Sequence, residues 1–205
     1  VPTWGVFMDK DQQGGGPLID IGTHALDITL WCMGNYDIDS VSGSVFYKLG
    51  TMPEAVAGNL FGPWDPKTYE VEDSAIGFVK MKNGATIALE AAWAINMLDC
   101  REAATTLCGT KAGAEIHSGM GYAKNDVIYN RSRNGQLMEE KLSPVGEIAY
   151  FAGGAGEDGV IDCRQWLNAV QKGTKPLVQP EEALAVTKIL DAIYKAAKSN
   201  KEIKF

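Results

Sequence analysis

A glycine run, a proline and a long apolar segment follow one another in residues 14–27, which read Gly14-Gly15-Gly16-Pro17-Leu18-Ile19-Asp20-Ile21-Gly22-Thr23-His24-Ala25-Leu26-Asp27. A helix is predicted to begin at Pro17, because proline at the first helical position loses no hydrogen bond and its φ is already helical. Gly34 suits the left-handed residue that ends a helix. The segment therefore predicts one long helix between Pro17 and Gly34.

The polar side chains of this predicted helix share one stripe. At about 100° per residue, Asp20, His24, Asp27 and Trp31 fall on the same side. Apolar residues cover the other faces, namely Leu18, Ile21, Ala25, Leu26, Ile28, Leu30, Cys32 and Met33. We expect a largely buried helix whose polar stripe faces a cleft. Gly22 lies between the two polar residues and indicates that another part of the molecule approaches the helix backbone there.

An aspartate one helical turn before a histidine has two interpretations. The carboxylate can hold the imidazole in one tautomer while the imidazole accepts a proton from a substrate hydroxyl, so Asp20 and His24 could be a general base and the group that orients it. The same pair could equally be a buried polar pair whose members only satisfy each other. The spacing alone leaves both open.

Three stretches of the chain resemble one family. Gly14-Gly15-Gly16-x-x-x-Asp20-x-Gly22-x-His24-x-x-Asp27 resembles the signature that opens the C-terminal domain of the Gfo/Idh/MocA oxidoreductases, the family of inositol dehydrogenase and glucose-fructose oxidoreductase. Residues 71–93 resemble the central hairpin of that domain, and residues 175–204 resemble its closing segment. The similarity keeps the family's order over nearly the whole chain.

The resemblance implies a fold and a domain organisation. It implies an α+β domain with a large, mainly antiparallel, open-faced sheet and helices on one face, similar to the C-terminal domain of glyceraldehyde-3-phosphate dehydrogenase. Residues 1–205 would form this single substrate-binding and oligomerisation domain. The family's N-terminal Rossmann domain, with its glycine-rich nucleotide loop and its lysine in a Glu-Lys-Pro segment, has no counterpart here, and we expect both to lie upstream.

The resemblance also implies the chemistry. Asp20 and His24 match the family's catalytic aspartate and histidine, so that His24 would take the proton from a hydroxyl of a sugar, polyol or related carbohydrate while Asp20 orients it. The hydride would pass to NAD or NADP, bound mainly by the absent domain, so this chain alone is expected to be inactive. Two alternatives remain: an NAD-dependent glycosidase of the same family, and a non-catalytic domain for binding or assembly on the same scaffold.

The rest of the chain supports an α+β order. Residues 1–13 are expected to be an extended lead, and residues 50–66 a long loop. Asn83-Gly84 predicts a type I′ turn between strands at 76–82 and 85–93. One face of this hairpin carries small and mixed side chains that suit contact with another subunit, so a homo-oligomer through the open sheet face is expected. Further strands are predicted within 101–108, 114–117, 126–129 and 136–140, with a tight turn at Asn134-Gly135. Helices are predicted from about residue 157 to Gly173 and after Pro180, burying Leu184, Ile189, Leu190 and Ile193.

A second glycine motif is interpreted as a decoy. Residues 154–159, Gly154-Ala155-Gly156-Glu157-Asp158-Gly159, match the dinucleotide pattern G-x-G-x-x-G after a possible strand at 148–152. Glu157 and Asp158 would place two negative charges where a pyrophosphate docks, and no second βαβ unit follows. We therefore predict no cofactor-binding residues in this chain.

The composition limits the classes of partner that this chain is expected to bind. The 205 residues are 45% hydrophobic and carry a formal charge of -7, which argues against nucleic acid or an anionic membrane as a partner. No run of 18 apolar residues occurs, so a cytoplasmic protein is expected. The four cysteines, Cys32, Cys100, Cys108 and Cys163, are predicted to be reduced, buried thiols. With two histidines, His24 and His117, no metal site is predicted, and His117 is expected to be an ordinary strand or loop residue.

Overall fold

The computed structural model describes residues 1–56, 58–97, 103–117, 126–142 and 157–205. Its elements, in chain order, are α1 (Lys10–Gln13), α2 (Pro17–Met33), β1 (Ile38–Phe46), α3 (Pro53–Val56), a 3₁₀ turn (Pro66–Thr68), β2 (Ser74–Met81), β3 (Thr86–Ala92), β4 (Ala104–Cys108), β5 (Gly113–His117), β6 (Asp126–Arg133), β7 (Gln136–Leu142), α4 (Glu157–Lys172), α5 (Pro180–Ser199) and β8 (Ile203–Lys204). The chain divides into two compact units, residues 1–97 with 181–205, and residues 98–180. The predicted α+β class is confirmed.

Helix α2 begins and ends where the sequence predicts. Pro17 occupies the first turn, and Gly34, at φ 58°, donates its N–H to the carbonyls of Leu30 and Trp31. Gly22 is buried, and a Cβ on it would lie 3.3 Å from the Cβ of Ala91, so the expected close approach is the packing of α2 on β3.

The prediction that α2 is largely buried is wrong. Its buried residues form one narrow stripe, consisting of Pro17, Leu18, Gly22, Leu26 and Leu30. Ile28, Trp31 and Cys32 lie outside that stripe and are exposed. The reason is that α2 packs on one side only, against β3 and β2. The apolar residues on its other side therefore stay at the surface of this unit.

The first unit contains an antiparallel sheet in the order β3-β2-β1-β8. Burial alternates along β2 and β3, as it does in a sheet with one covered face. The covered face contributes Val41, Ala75, Val79, Met81, Ile87 and Leu89 to a core shared with α2 and α5. The edge strand β8 was not predicted from the sequence, since its two residues give no periodicity.

The hairpin between β2 and β3 exists, but its predicted type I′ turn is wrong. Gly84 donates its N–H to the Met81 carbonyl at 2.9 Å, and of the two turn residues only Gly84 has a positive φ, of 87°. The Asn83 side chain instead accepts the N–H of Ala85 at 3.0 Å. That arrangement is typical of a three-residue connection in which only the glycine is left-handed.

The second unit contains an antiparallel sheet in the order β4-β5-β6-β7. Asn134 and Gly135, at φ 53° and 75°, form the predicted tight turn between β6 and β7. His117 ends β5, as expected of a strand residue, with its Nε2 3.2 Å from the Glu115 carboxylate. Within the described residues the strands thus pair into two four-stranded sheets, one in each unit. Residues 101–102 of the first predicted strand lie outside the described residues.

The two long C-terminal helices occur where the sequence predicts them. Helix α4 ends before Gly173 at φ 60°, and α5 begins at Pro180. Ile189, Leu190 and Ile193 are buried, whereas Leu184, predicted to be buried, is half exposed. The predicted strand at 148–152 and Gly154 to Gly156 of the decoy motif lie outside the described residues. Among the described helices, none combines the length and apolar character that crossing a bilayer requires.

Three further expectations from the sequence need correction. Cys32, Cys108 and Cys163 are free but exposed, so the prediction of buried thiols is wrong for them, while Cys100 lies outside the described residues. Residues 1–13 are not extended throughout, because Asp9 caps the short helix α1. The long loop holds α3, and its Trp64 is buried and donates to the Gly50 carbonyl at 2.7 Å.

Two facing glycines let α5 approach the sheet. Gly43 of β1 and Gly77 of β2 are opposite each other in the ladder, and Ile193 of α5 packs over both. A Cβ on Gly43 would lie 2.8 Å from Ile193 Cγ2, and a Cβ on Gly77 would overlap Ile193 Cδ1. Ile193 itself is fully buried. The glycine pair therefore forms a notch that receives this side chain.

We expect Gly77→Ala to lower the free energy of unfolding by about 1–3 kcal/mol, because the added methyl overfills the notch. Denaturant unfolding measures this change. Gly58→Ala is the matched control, since Gly58 has open space around it and is expected to change stability by less than about 0.5 kcal/mol. Equal effects of the two substitutions would contradict the notch.

Candidate functional site

A buried carboxylate closes the N-terminus of α2. Glu72 is 1% exposed, and its Oε2 accepts the N–H of Gly16 at 2.8 Å while its Oε1 accepts the N–H of Leu18 at 3.1 Å. Pro17 between them has no N–H to satisfy. Gly16 has no side chain to cap the helix, so Glu72 does this from elsewhere in the chain, where its negative charge also meets the positive end of the helix dipole.

Tyr194 of α5 completes this arrangement. Its hydroxyl donates to Glu72 Oε1 at 2.8 Å, so the carboxylate receives three hydrogen bonds. Burial raises the pKa of the Tyr194 phenol above its usual range, and the neighbouring Glu72 charge raises it further. The phenol therefore stays protonated and remains a donor to Glu72. The contact ties α5 to the start of α2.

The glycine run is explained by these contacts. A Cβ on Gly15 would overlap the Tyr194 hydroxyl, and a Cβ on Gly16 would overlap the Glu72 backbone carbonyl. Any side chain at these two positions would displace the groups that cap α2. Gly15 and Gly16 are thus required by close packing.

The same contacts decide whether the start of α2 suits a phosphate. A glycine-rich segment before a helix is a common binding site for the phosphates of a nucleotide. Here the helix N–H groups of Gly16 and Leu18 are already bound by Glu72. The residues therefore do not fit a dinucleotide phosphate at this helix.

The next residue holds the neighbouring loop. Asp73 is 1% exposed, and its Oδ2 accepts the backbone N–H groups of Lys48, Leu49 and Gly50. Its own carbonyl accepts the N–H of Trp93 at 3.0 Å. Asp73 therefore fixes both the loop after β1 and the end of β3, where the Trp93 side chain begins.

Asp20 and His24 lie one turn apart on the exposed side of α2. The Asp20 carboxylate is partly buried, and its Oδ2 accepts the indole N–H of Trp93 at 3.0 Å. His24 is exposed, as are Asp27 and Trp31 further along the same stripe. The polar stripe predicted from the sequence is therefore present. One of its carboxylates is oriented by a residue 73 positions away in the chain.

Sequence reasoning missed Glu72, Tyr194 and Trp93. Segments 71–93 and 175–204 were noted for their resemblance to a family and for their strand and helix patterns, but nothing in either pattern indicated which of their side chains reach the start of α2. In the part of the chain that the structure describes, no three His, Cys, Asp or Glu side chains come together in a way that could hold a metal ion. The absence of a metal site remains a prediction.

Comparisons with known proteins show which family this chain resembles in sequence. A family model described as "Oxidoreductase family, C-terminal alpha/beta domain" matches residues 2–205. The D-glucoside 3-dehydrogenase of Escherichia coli (strain K12) is 32% identical over 203 residues, which are 99% of this chain and 52% of that protein. The chain thus spans about half the length of this relative.

Solved structures share the fold at lower identity. Levoglucosan dehydrogenase in complex with NADH and levoglucosan matches with a TM-score of 0.74 and 16% identity, covering 98% of this chain and 53% of that one. Aldose-aldose oxidoreductase from Caulobacter crescentus, complexed with glycerol, matches with a TM-score of 0.70 and 19% identity, covering 99% and 52%. At these identities the likeness establishes the fold.

The contact between Gly15 and Tyr194 predicts coupled substitutions. Gly15→Ala should displace the Tyr194 hydroxyl and Tyr194→Phe should remove it, each lowering the free energy of unfolding by about 1–3 kcal/mol. Because both act on the same hydrogen bond, the double variant should lose about 1 kcal/mol less than the sum of the two. Denaturant unfolding of the four proteins measures the coupling.

Gly15→Ala combined with Tyr129→Phe provides the control, since Tyr129 is an exposed residue of β6 and its effect should simply add. Strict additivity of the Gly15 and Tyr194 substitutions would rule out the proposed overlap.

Proposed function

This chain belongs to the Gfo/Idh/MocA oxidoreductase family, and we propose that in its whole protein it supplies the proton-transfer residues for oxidising a hydroxyl of a sugar, polyol or related carbohydrate. One observation carries the proposal. The Asp20 carboxylate, one turn before His24 on the exposed side of α2, is held by the Trp93 indole at 3.0 Å. A fixed carboxylate beside an accessible imidazole suits a general base.

The proposed roles follow from this placement. The imidazole of His24 accepts the hydroxyl proton while the carbon–oxygen bond becomes a carbonyl. Residues at i and i+4 on a helix are neighbours, so Asp20 can orient the imidazole and stabilise its positive charge once it is protonated. A bound nicotinamide dinucleotide, NAD or NADP, would supply the acceptor for the hydride that leaves the same carbon.

We propose that the cofactor is bound mainly by a part of the whole protein outside residues 1–205. The start of α2 is capped by Glu72 and is unsuited to a phosphate. The E. coli relative is about twice as long as this chain, which leaves room for an N-terminal Rossmann domain in the whole protein. We accordingly propose that residues 1–205 form the C-terminal substrate and assembly domain, and that these residues alone are inactive. The expected cytoplasmic location stays a prediction.

The substrate class rests on the relatives. The E. coli relative is named for a D-glucoside, and the structures that share the fold include a levoglucosan dehydrogenase and an aldose-aldose oxidoreductase. A carbohydrate hydroxyl is the chemistry common to these names. We therefore propose a free sugar or a glycoside as the substrate.

In the whole protein, His24→Ala and Asp20→Asn should each lower kcat, by about 10²–10⁴-fold for His24 because proton transfer is lost. The measurement is the initial rate of reduced nicotinamide formation with D-glucose, myo-inositol and methyl β-D-glucopyranoside, each with NAD and with NADP. Asp191→Asn is the control, since Asp191 is an exposed carboxylate on α5 paired with Lys195. It should leave kcat unchanged.

Other outcomes identify the alternatives. Unchanged activity in both His24→Ala and Asp20→Asn would indicate a domain for binding or assembly. Cleavage of the methyl glucoside without net nicotinamide reduction would indicate an NAD-dependent glycosidase. The isolated 205 residues serve as a further control and should show neither turnover nor tight binding of NAD or NADP.

We also propose that the protein is a homo-oligomer through the uncovered face of the first sheet. Phe46, Ile76 and Phe78 are exposed on that face, with Ile76 at 51%. They are neighbours on one face of the sheet. Ile76 and Phe78 are two residues apart on β2, and Phe46 of β1 pairs with Ser74, the first residue of β2. A contiguous apolar patch of this kind is typical of an interface between subunits.

Ile76→Lys should reduce the oligomer to a smaller species, because a charge would have to be buried in the interface. Light scattering after size-exclusion chromatography measures the mass. Leu177→Lys is the control, since Leu177 is an exposed leucine outside this sheet. A wild-type monomer, or no change in mass with Ile76→Lys, would contradict the proposed interface.

A further inference from the structure

Four aromatic rings form a continuous row that starts beside Asp20. Trp93, whose indole binds the Asp20 carboxylate, has its ring centroid 6.1 Å from that of Phe7. Phe7 lies 5.8 Å from Trp4, and Trp4 lies 5.0 Å from Phe61. The three contacts are edge to face, with interplanar angles of 73°, 73° and 81°. Trp93 thus connects the row to the proposed proton-transfer pair.

Hydrogen bonds to backbone carbonyls hold the segment that carries the row in place. Thr3 Oγ1 donates to the Phe61 carbonyl at 2.6 Å, beside Trp4. On the other side of Phe7, the Met8 carbonyl accepts the N–H of Glu70 at 3.1 Å. The segment that carries Trp4 and Phe7 is therefore fixed to residues 61 and 70. Rings fixed in this way lose little freedom when a ligand binds.

The core does not account for the position of Trp4. The neighbouring apolar cluster consists of Val1, Trp64, Tyr69 and Val71, and Trp93 packs against it from the edge. Trp4 is not part of that cluster and is 51% exposed. A large fixed aromatic ring that is half in water is a feature of binding surfaces, where it supplies contact area at low entropic cost.

Carbohydrates match such a surface chemically. One face of a pyranose presents several C–H groups, and an aromatic ring presents a negative face that attracts their slight positive charge and shields them from water. Because Trp93 contacts Asp20, it borders the ring being oxidised in the proposed function. Trp4 is two ring contacts further along the row.

We propose that the row Trp93, Phe7, Trp4 and Phe61 is a binding surface for the second half of a glycoside, the sugar or aglycone joined to the ring whose hydroxyl is oxidised. The proposal rests on the proposed function for the identity of the reacting ring. Trp93 would contact the reacting sugar, and Trp4 would stack on the attached group. The preferred substrates would then be glycosides larger than a monosaccharide.

The test compares cellobiose with methyl β-D-glucopyranoside in the whole protein with its cofactor. Trp4→Ala should raise KM for cellobiose by about five- to tenfold, leaving kcat for both sugars and KM for the methyl glucoside unchanged. Trp4→Phe should restore most of the loss. Trp166→Ala is the matched control, because Trp166 on α4 is a tryptophan of similar exposure, 58%, outside the row.

Calorimetric binding of both sugars separates this proposal from the function on which it rests. If cellobiose binds the wild type more tightly than Trp4→Ala but is not oxidised, the aromatic row is supported as a binding surface and the proposed oxidation is contradicted. If the sugars are oxidised and Trp4→Ala binds cellobiose as the wild type does, the row is overturned. Absence of binding to the wild type also overturns it. Thermal unfolding of Trp4→Ala and Trp4→Phe shows whether each variant is folded.

Discussion

The capping of α2 by the Glu72 carboxylate is the interaction on which the first unit depends. A buried carboxylate is costly unless it is fully hydrogen-bonded, and Glu72 meets this condition with Gly16, Leu18 and Tyr194. The three donors come from the start of α2 and from α5, so one side chain joins two helices to the segment before β2. Breaking one bond would leave a buried charge short of a partner, which commonly costs more than the bond itself contributes.

Glu72 and Asp73 are consecutive in the chain and hold different parts of the first unit in place. Glu72 sets the start of α2, from which Asp20 and His24 follow within two turns. Asp73 binds the loop at residues 48–50 and, through its carbonyl, the backbone of Trp93. The Trp93 indole donates to the Asp20 carboxylate. Glu72 sets the position of Asp20 and Asp73 sets that of Trp93, so this hydrogen bond depends on two consecutive buried carboxylates. The stability of this segment and the geometry of the candidate site therefore have the same origin.

The unit presents several unlike surfaces. The exposed side of α2 carries the Asp20 and His24 pair, and the aromatic row extends from Asp20. The uncovered face of the sheet carries Phe46, Ile76 and Phe78. The inner face of the same sheet packs on α2 and α5, with Ile193 held by Gly43 and Gly77. One layer of strands thus separates the proposed oligomer surface from the core that supports the candidate site.

Local pattern was enough to predict α2, because a proline that starts a helix and a glycine that ends it act through their own backbone geometry. The same holds for the Asn134-Gly135 turn, for the end of α4 before Gly173 and for the start of α5 at Pro180. The motif also predicted which polar residues share one stripe. Burial was predicted less well: Ile28, Cys32 and Leu184 are exposed, since an apolar residue is buried only where another element covers it. The partners of the site came from the tertiary structure alone. Glu72 and Trp93 bind α2, and Tyr194 binds Glu72, each across 54 or more positions of the chain. Contacts over such separations depend on how strands and helices pack rather than on any local periodicity.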